Sequence, residues 1–78
     1  MKINVVGKEH TEGVSKKSGK AYSLNIVYYT APKTGVNGMI AERAALNATD
    51  YGFDAIQVGK AYNLEYDSRG FVSDFYPA

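Results

Sequence analysis

The last third of the chain alternates apolar with small or polar residues at the spacing of a β-strand, and this pattern most constrains the fold. Tyr62, Leu64 and Tyr66 form one alternating run, and a second run extends from Phe71 to Tyr76. Successive side chains of a strand point to opposite faces, so each run predicts a half-buried strand. Residues 67–70 (DSRG) separate the runs and have the composition of a tight turn. The pattern therefore predicts a β-hairpin.

A second hairpin is predicted at the start of the chain. Apolar and polar residues alternate over residues 2–9, which predicts a first strand. Residues 20–30 are rich in Tyr, Val and Ile and predict the strongest strand of the sequence. Between them lies the short turn Lys17-Ser18-Gly19-Lys20, in which the glycine can take a positive φ. Residues 32–38 (PKTGVNG) then predict a loop.

The middle of the chain is ambiguous between helix and strand. Residues 39–46 (MIAERAAL) have the composition of a helix, but two glycines shortly before them and the strands elsewhere favour a strand, which we predict. Residues 47–56 (NATDYGFDAI) place helix-capping residues before a short apolar group, which predicts one or two helical turns.

These elements predict an all-β fold: a single domain, residues 1–78, built as a small five-stranded barrel of the OB type with a short helical turn between strands 3 and 4. An SH3-like barrel is the second candidate, and an open α+β sheet would follow if residues 39–50 were helical. A chain of this length buries only about 60% of its unfolded surface, which leaves little room for a deep active-site cavity.

Composition excludes several classes of protein. The chain has no cysteine, so it has no disulfide framework and no thiolate metal site. The N-terminal residues lack the continuous apolar run of a secretion signal, and no segment approaches the roughly 20 apolar residues that span a bilayer. We therefore expect a cytoplasmic protein with no membrane partner.

Charge is unevenly distributed along a chain whose formal net charge is +1. Residues 1–20 hold five lysines against two glutamates, whereas residues 50–78 hold two basic residues against five acidic ones. Exposed charges act over about 10 Å at ordinary salt. A local basic patch can therefore steer a polyanion although the whole chain is nearly neutral.

The sequence offers little for catalysis. His10 is the only histidine and lies among Glu9, Thr11 and Glu12, as expected of a solvated position near a strand end. Asp50 and Asp54 are more simply explained as acidic residues early in a helix than as metal ligands. No glycine-rich phosphate loop occurs. We expect neither an enzyme nor a bound cofactor or metal.

The first hairpin is the strongest candidate for a working surface. Lys16, Lys17 and Lys20 surround its turn, and the following strand places Tyr22, Leu24, Ile26 and Tyr28 on one face and Ser23, Asn25, Val27 and Tyr29 on the other. If the face with Val27 and Tyr29 lies in the core, the first face becomes an outer strip beside the lysines. Cations and exposed rings together bind single-stranded nucleic acid, although the same residues could simply protect an edge and fill a core.

Residues 13–25 (GVSKKSGKAYSLN) resemble the DNA-binding wing of the filamentous phage gene V protein family, the helix-destabilising proteins that coat single-stranded phage DNA. That family shows Gly-Val-Ser, a basic residue, a Gly-Lys turn and Tyr-Ser-Leu-Asn. The resemblance implies that Lys16 and Lys20 contact phosphates and that Tyr22 stacks on a base with Leu24 beside it. Tyr28 or Tyr29 would supply a second aromatic contact.

The resemblance also implies partners and a setting. Single-stranded DNA is the expected partner, with RNA and a protein-docking role left open, and the setting is DNA replication in a bacteriophage, hence the host cytoplasm. Three departures stand out: one residue is added in the turn, Ala21 replaces a common proline, and the tight turn at residues 67–70 replaces a longer dimer loop. The last departure counts against a homodimer of that kind. Arg69 and Phe71 are the candidates for a reduced form of its DNA contact, and Arg43 for a further phosphate contact.

Overall fold

The computed structural model describes residues 1–78 and shows an all-β protein. Its strands are β1 (Lys2–Val14), β2 (Ala21–Pro32), β3 (Met39–Asn47), β4 (Ala61–Tyr66) and β5 (Val72–Pro77). The helical piece is a single 3-10 turn, Phe53–Ala55, between β3 and β4. The predicted fold class and the position of the helical turn are confirmed. No helix of the structure is long and apolar enough to cross a membrane.

All neighbouring strands are antiparallel, and their order across the single sheet is β3-β2-β1-β4-β5. The first four strands have Greek-key order, because a long connection returns β4 to the side of β1. β3 and β5 come within 8 Å of one another between Cα atoms, yet no hydrogen-bonded ladder joins them. The predicted five-stranded barrel is therefore open along this seam. β5 is short and ends in Pro77, which has no N–H to donate to a neighbouring strand.

The ambiguous segment after residue 38 is a strand. β3 pairs with β2 from Met39 opposite Pro32 to Asn47 opposite Leu24. Helix propensity is a weak preference, and here the backbone pairing and the burial of β3 side chains outweigh it. The strand prediction is confirmed, and the α+β alternative, which required a helix, is wrong.

The core lies on one face of the sheet and follows the alternation of the strands. Tyr62 and Phe75 stack in it with ring centroids 4.5 Å apart, and Tyr51 meets Phe75 edge-on at 5.8 Å. Burying large apolar side chains supplies roughly 1.5–3 kcal/mol each, so these rings contribute substantially to the stability of the core. The buried apolar residues are Ile3, Val5, Val27, Tyr29, Ala31, Ala44, Leu46, Ile56, Tyr62, Leu64 and Phe75.

The β1–β2 hairpin extends well beyond the other strands. β1 pairs with β2 as far as Val14, whereas β4 pairs only with residues 2–4 of β1, and β3 ends opposite Leu24. Residues 12–23 therefore form a two-stranded projection, here called the arm. The arm accounts for the elongated shape of the molecule, which measures 42 × 26 × 17 Å.

Two elements differ in extent from the predictions. β1 continues past the predicted residues 2–9 because the arm pairs its backbone with β2 and needs no third strand. Of the one or two helical turns predicted within residues 47–56, one forms, as the 3-10 turn that Gly52 precedes without a side-chain cap. A helix with neither a cap nor a buried face gains too little to extend further.

Candidate nucleic-acid interface

The lysines of the arm stand around a well-defined turn. Gly19 has a φ of 69°, as its position required, and its N–H donates to the Ser15 carbonyl at 2.8 Å. Lys16, Lys17 and Lys20 are all exposed, and none of them takes part in an ion pair. Three adjacent cations at the end of a projecting arm are thus free to meet an anionic partner.

The two faces of β2 divide as the alternation predicts. Val27 and Tyr29 lie in the core, so Tyr22, Leu24, Ile26 and Tyr28 form a strip on the opposite face, here called the outer strip. Tyr22 is 42% exposed and Tyr28 37%, whereas Leu24 and Ile26 are half-buried between them. Strand geometry separates the two tyrosines by about 20 Å.

The ring of Tyr22 lies across β1 over a glycine. Gly13 is paired with Tyr22, and a Cβ placed on Gly13 would stand 2.8 Å from the Tyr22 hydroxyl oxygen and 3.1 Å from Cζ. Real Cβ atoms do not approach that closely, so the ring occupies space that only glycine leaves open. The side chain is thereby held against the sheet, with part of its ring area open to solvent.

Tyr28 is also paired with a glycine, nearer the body of the sheet, but without the close approach seen at Gly13. It is paired with Gly7, whose Cβ position lies 3.6 Å from Tyr28 Cδ2, and its hydroxyl donates to Glu9 Oε1 at 2.7 Å. On its other side Tyr28 is paired with Arg43 of β3. The hydrogen bond to the Glu9 carboxylate raises the pKa of Tyr28, with Arg43 opposing the shift, so the hydroxyl stays protonated at neutral pH.

Tyr29, the alternative second aromatic contact, is unsuited to stacking. Its side chain is 1% exposed in the core, and its hydroxyl donates to Glu42 Oε2 at 3.3 Å. Burial raises the pKa of Tyr29 well above its ordinary value of 10.0. Because alternate residues of a strand face opposite ways, Tyr28 is the one whose ring reaches solvent.

Arg69 and Phe71 are not brought to the outer strip. β4 runs antiparallel to β1 with Lys2 opposite Asn63, so the β4–β5 turn lies beyond the start of β1, at the end of the sheet remote from the arm. There Phe71 is 65% exposed, and the Arg69 guanidinium lies 5.3 Å from its ring centroid. A single chain therefore cannot use these two residues together with Tyr22 on one short stretch of nucleic acid.

The Asp67 carboxylate organises that remote turn. Its Oδ1 accepts the backbone N–H groups of Phe71 at 3.0 Å and Arg69 at 2.9 Å, and its Oδ2 accepts from the Arg69 guanidinium at 3.2 Å. These bonds, led by the one from Phe71, lower the pKa of Asp67. The tight turn predicted for residues 67–70 is thus held by its own side chain.

An open depression borders Tyr22 at the base of the arm. β2 continues past the end of β3, so that residues 21–22 have no partner on that side. The resulting depression has a volume of about 760 Å³ and is lined by Tyr22 and Leu24 with Asn47 and Thr49, among others. Such a shallow, half-polar surface suits an extended polymer better than a small molecule enclosed in a cavity.

A polar network on the core side of the arm's base went unrecognised in the sequence. His10 Nδ1 lies 2.7 Å from Asn25 Oδ1, and Asn25 Nδ2 donates to the Tyr51 carbonyl at 2.6 Å. Lys8 Nζ donates to the backbone carbonyl of Phe53 at 2.9 Å, and the same nitrogen lies 4.2 Å from the centroid of the Phe53 ring. The network ties the segment after β3 to the hairpin. The one signal for this network in the sequence is the alternation of β2, which places the polar residue Asn25 on the buried face.

The network also determines the proton position on His10. Because the Asn25 amide nitrogen is engaged by Tyr51, its oxygen faces the ring, and Nδ1 must carry the hydrogen. Nε2 then lies 3.5 Å from Glu12 Oε2. The hydrogen bond to Asn25 is the largest effect on the pKa of His10 and raises it; burial opposes this shift, and Glu12 adds to it. The contacts of His10 with Asn25 and Glu12 hold the ring in place in the fold. No cluster of three potential metal-binding side chains exists in the chain.

Comparison with protein-family models, with curated proteins and with solved structures gave no significant match for this chain. Function is therefore inferred from its own residues.

Proposed function

We propose that this protein binds single-stranded DNA without catalysis and with little sequence preference. The observation that carries the proposal is the row of exposed rings on the outer strip: Tyr22 lies over Gly13 close to three lysines without ion pairs, and Tyr28 is exposed further along the same face. Cations that follow phosphates, combined with exposed rings on which bases stack, are the two features that single-strand binders share.

The proposed mechanism divides the work between charge and stacking. Lys16, Lys17 and Lys20 displace counterions from the phosphates, which supplies affinity that depends on salt. Tyr22 and Tyr28 stack on unpaired bases, each worth roughly 1–3 kcal/mol, and every base has a face for this contact. Leu24 adds apolar contact between them. Duplex DNA hides its base faces, so a preference for single strands follows.

The setting is proposed from the resemblance of residues 13–25 to the phage helix-destabilising proteins. A protein of this kind would coat replication intermediates in the cytoplasm of a phage host. The outer strip offers room for a few nucleotides per chain, because the two tyrosines are about 20 Å apart.

Titration of oligo-dT into the protein, followed by tyrosine fluorescence, tests the proposal. Stacking should quench the fluorescence, and three phosphate contacts predict a roughly 20-fold loss of affinity between about 50 and about 200 mM salt. Tyr22→Ala should weaken binding by roughly 5- to 160-fold, whereas Tyr22→Phe, which keeps the ring, should bind nearly as wild type.

Two results would contradict the proposal. A salt-independent affinity would remove the role of the lysines, and a Tyr22→Ala variant that binds as tightly as wild type would remove that of the ring. Parallel titrations with duplex DNA and with RNA of the same length measure the preference for the partner. A protein-docking surface built on the same tyrosines would leave their fluorescence unchanged on addition of oligo-dT.

A further inference from the structure

The two sides of the outer strip differ in charge and in bulk. On the β1 side, the residues sharing its face are Gly7, Glu9, Thr11 and Gly13. On the β3 side they are Ala41, Arg43, Ala45 and Asn47. Each side thus carries a single charged residue, negative on β1 and positive on β3.

Both tyrosine rings lean towards β1. The Tyr22 hydroxyl lies over Gly13, and the Tyr28 hydroxyl reaches the Glu9 carboxylate. The β3 side of the strip is correspondingly uncovered, because Ala41 and Ala45 have small side chains. A depression of about 280 Å³ beside Tyr28 is lined by Ala41, Glu42 and Arg43 of β3, together with Val6, Tyr28 and Tyr29.

The two sides of the strip present different charges to a polyanion. The β1 and β3 backbones lie roughly 10 Å apart across β2, and the side chains of Arg43 and Glu9 both approach the Tyr28 hydroxyl. A phosphate on the β3 side meets Arg43 first and is attracted by it. A phosphate on the β1 side meets the Glu9 carboxylate first and is repelled by it.

We propose that the phosphate backbone of a bound single strand follows the β3 side of the outer strip past Arg43, while its bases extend across β2 and stack over β1. Glu9 is then an orienting residue: it positions the Tyr28 ring through the hydroxyl and keeps phosphates off the β1 side. This inference rests on the proposed function and adds to it the route and orientation of the bound strand.

A pair of added lysines tests the route. Ala45→Lys places a cation on the β3 side of the strip, and Thr11→Lys places one on the β1 side, each on a strand adjacent to β2. The slope of log affinity for oligo-dT against log salt should steepen by about 0.7 in Ala45→Lys, because one phosphate contact is gained, and should stay near the wild-type value in Thr11→Lys.

The outcomes separate the route from the function. A steeper salt slope in Thr11→Lys alone, or an equally steep slope in both variants, would overturn the proposed route of the phosphate backbone. Single-strand binding itself would be left intact. Salt-independent binding by wild type would instead contradict the proposed function. Circular dichroism of each variant checks that the added lysine leaves the sheet folded.

Removal of charge gives the complementary measurement. Arg43→Gln should flatten the salt slope by about 0.7, because one phosphate contact is lost. Arg69→Gln removes the same charge at the remote end of the sheet and should leave the slope unchanged. Equal effects of the two substitutions would show that Arg43 acts only through net charge and would overturn the route.

Discussion

The distal edge of the Tyr22 ring occupies the space where a side chain of Gly13 would begin, with only 2.8 Å between the hydroxyl oxygen and that Cβ position. A strand residue without a side chain normally weakens a sheet. Here it lets an aromatic ring of the neighbouring strand lie across the arm, where part of its ring area remains open. Gly13 is thus the residue that allows the Tyr22 ring to lie across the arm.

Gly13→Ala should weaken binding to oligo-dT by tenfold or more, within the range that loss of one stacked base gives, while changing stability little. The added methyl group meets the mobile end of a side chain, so the ring turns away and the backbone is undisturbed. Gly7→Ala is the matched control, because its Cβ would stand 3.6 Å from Tyr28, an ordinary contact. Equal binding by wild type and Gly13→Ala would remove the positioning role of this glycine.

Removal of the three arm lysines should abolish most of the salt dependence. In the variant with Lys16, Lys17 and Lys20 all changed to Gln, the slope of log affinity against log salt should become shallower by about 2. Its urea midpoint should match wild type, because no ion pair is broken. The matched control makes the same change in net charge away from the arm, at Lys2, Lys33 and Lys60. If both triple variants lose the same slope, the arm is not the phosphate contact.

Phe71→Ala should leave the affinity for a short oligo-dT within about twofold of wild type, because the β4–β5 turn lies at the opposite end of the sheet from the arm. Sedimentation at each protein concentration establishes whether one chain or two are present. A loss of affinity confined to conditions in which two chains associate would show that Phe71 serves DNA bound on a partner's arm.

The pKa of His10 is raised in the folded protein by its hydrogen bond to Asn25 and by Glu12. A raised value means that the imidazolium stabilises the fold below the ordinary pKa of 6.5, and that this contribution is lost as the pH rises through the folded-state value. The difference in urea midpoint between wild type and His10→Gln should therefore be largest below the ordinary pKa of 6.5 and shrink as the pH rises above it. A difference that does not vary with pH would contradict this.

Asn25→Leu should destabilise the protein by about 1–3 kcal/mol, because the Tyr51 carbonyl loses its buried donor while the side chain keeps the same number of heavy atoms. Asn25 is the one polar residue of the core, at 1% exposure, which makes this loss costly. Urea unfolding measures it, and Ser23→Ala, on the same face of β2 two residues earlier, is the control. An unchanged urea midpoint would mean that water replaces the Asn25 amide.

Much of the fold followed from local patterns. The alternation in β4 and β5, the turn at Asp67 and the positive φ of Gly19 are properties of short segments, since strand periodicity and glycine freedom act within a few residues. The strip of alternate β2 residues was likewise predictable, because alternation alone assigns residues to two faces. Its assignment to the outside required only that Val27 and Tyr29 be buried.

Other features were set by contacts between distant parts of the chain. The helix-forming composition of residues 39–46 yielded to pairing with β2, the open seam depends on how β3 and β5 meet, and the remote position of Phe71 follows from the register of β4 on β1. The network from His10 through Asn25 to Tyr51 joins three segments, which no local pattern connects.

The amino-acid sequence by itself determined the strands other than β3, the turns and the residues that share each face of β2, because these depend on neighbours along the chain. Only the pairing with β2 decided that β3 is a strand. The tertiary structure alone decided that Tyr22 lies over Gly13, that Tyr28 rather than Tyr29 reaches solvent beside Arg43, and that Arg69 lies far from the arm. Strand order and register determine which distant residues become neighbours, and both are selected by burial of the whole core.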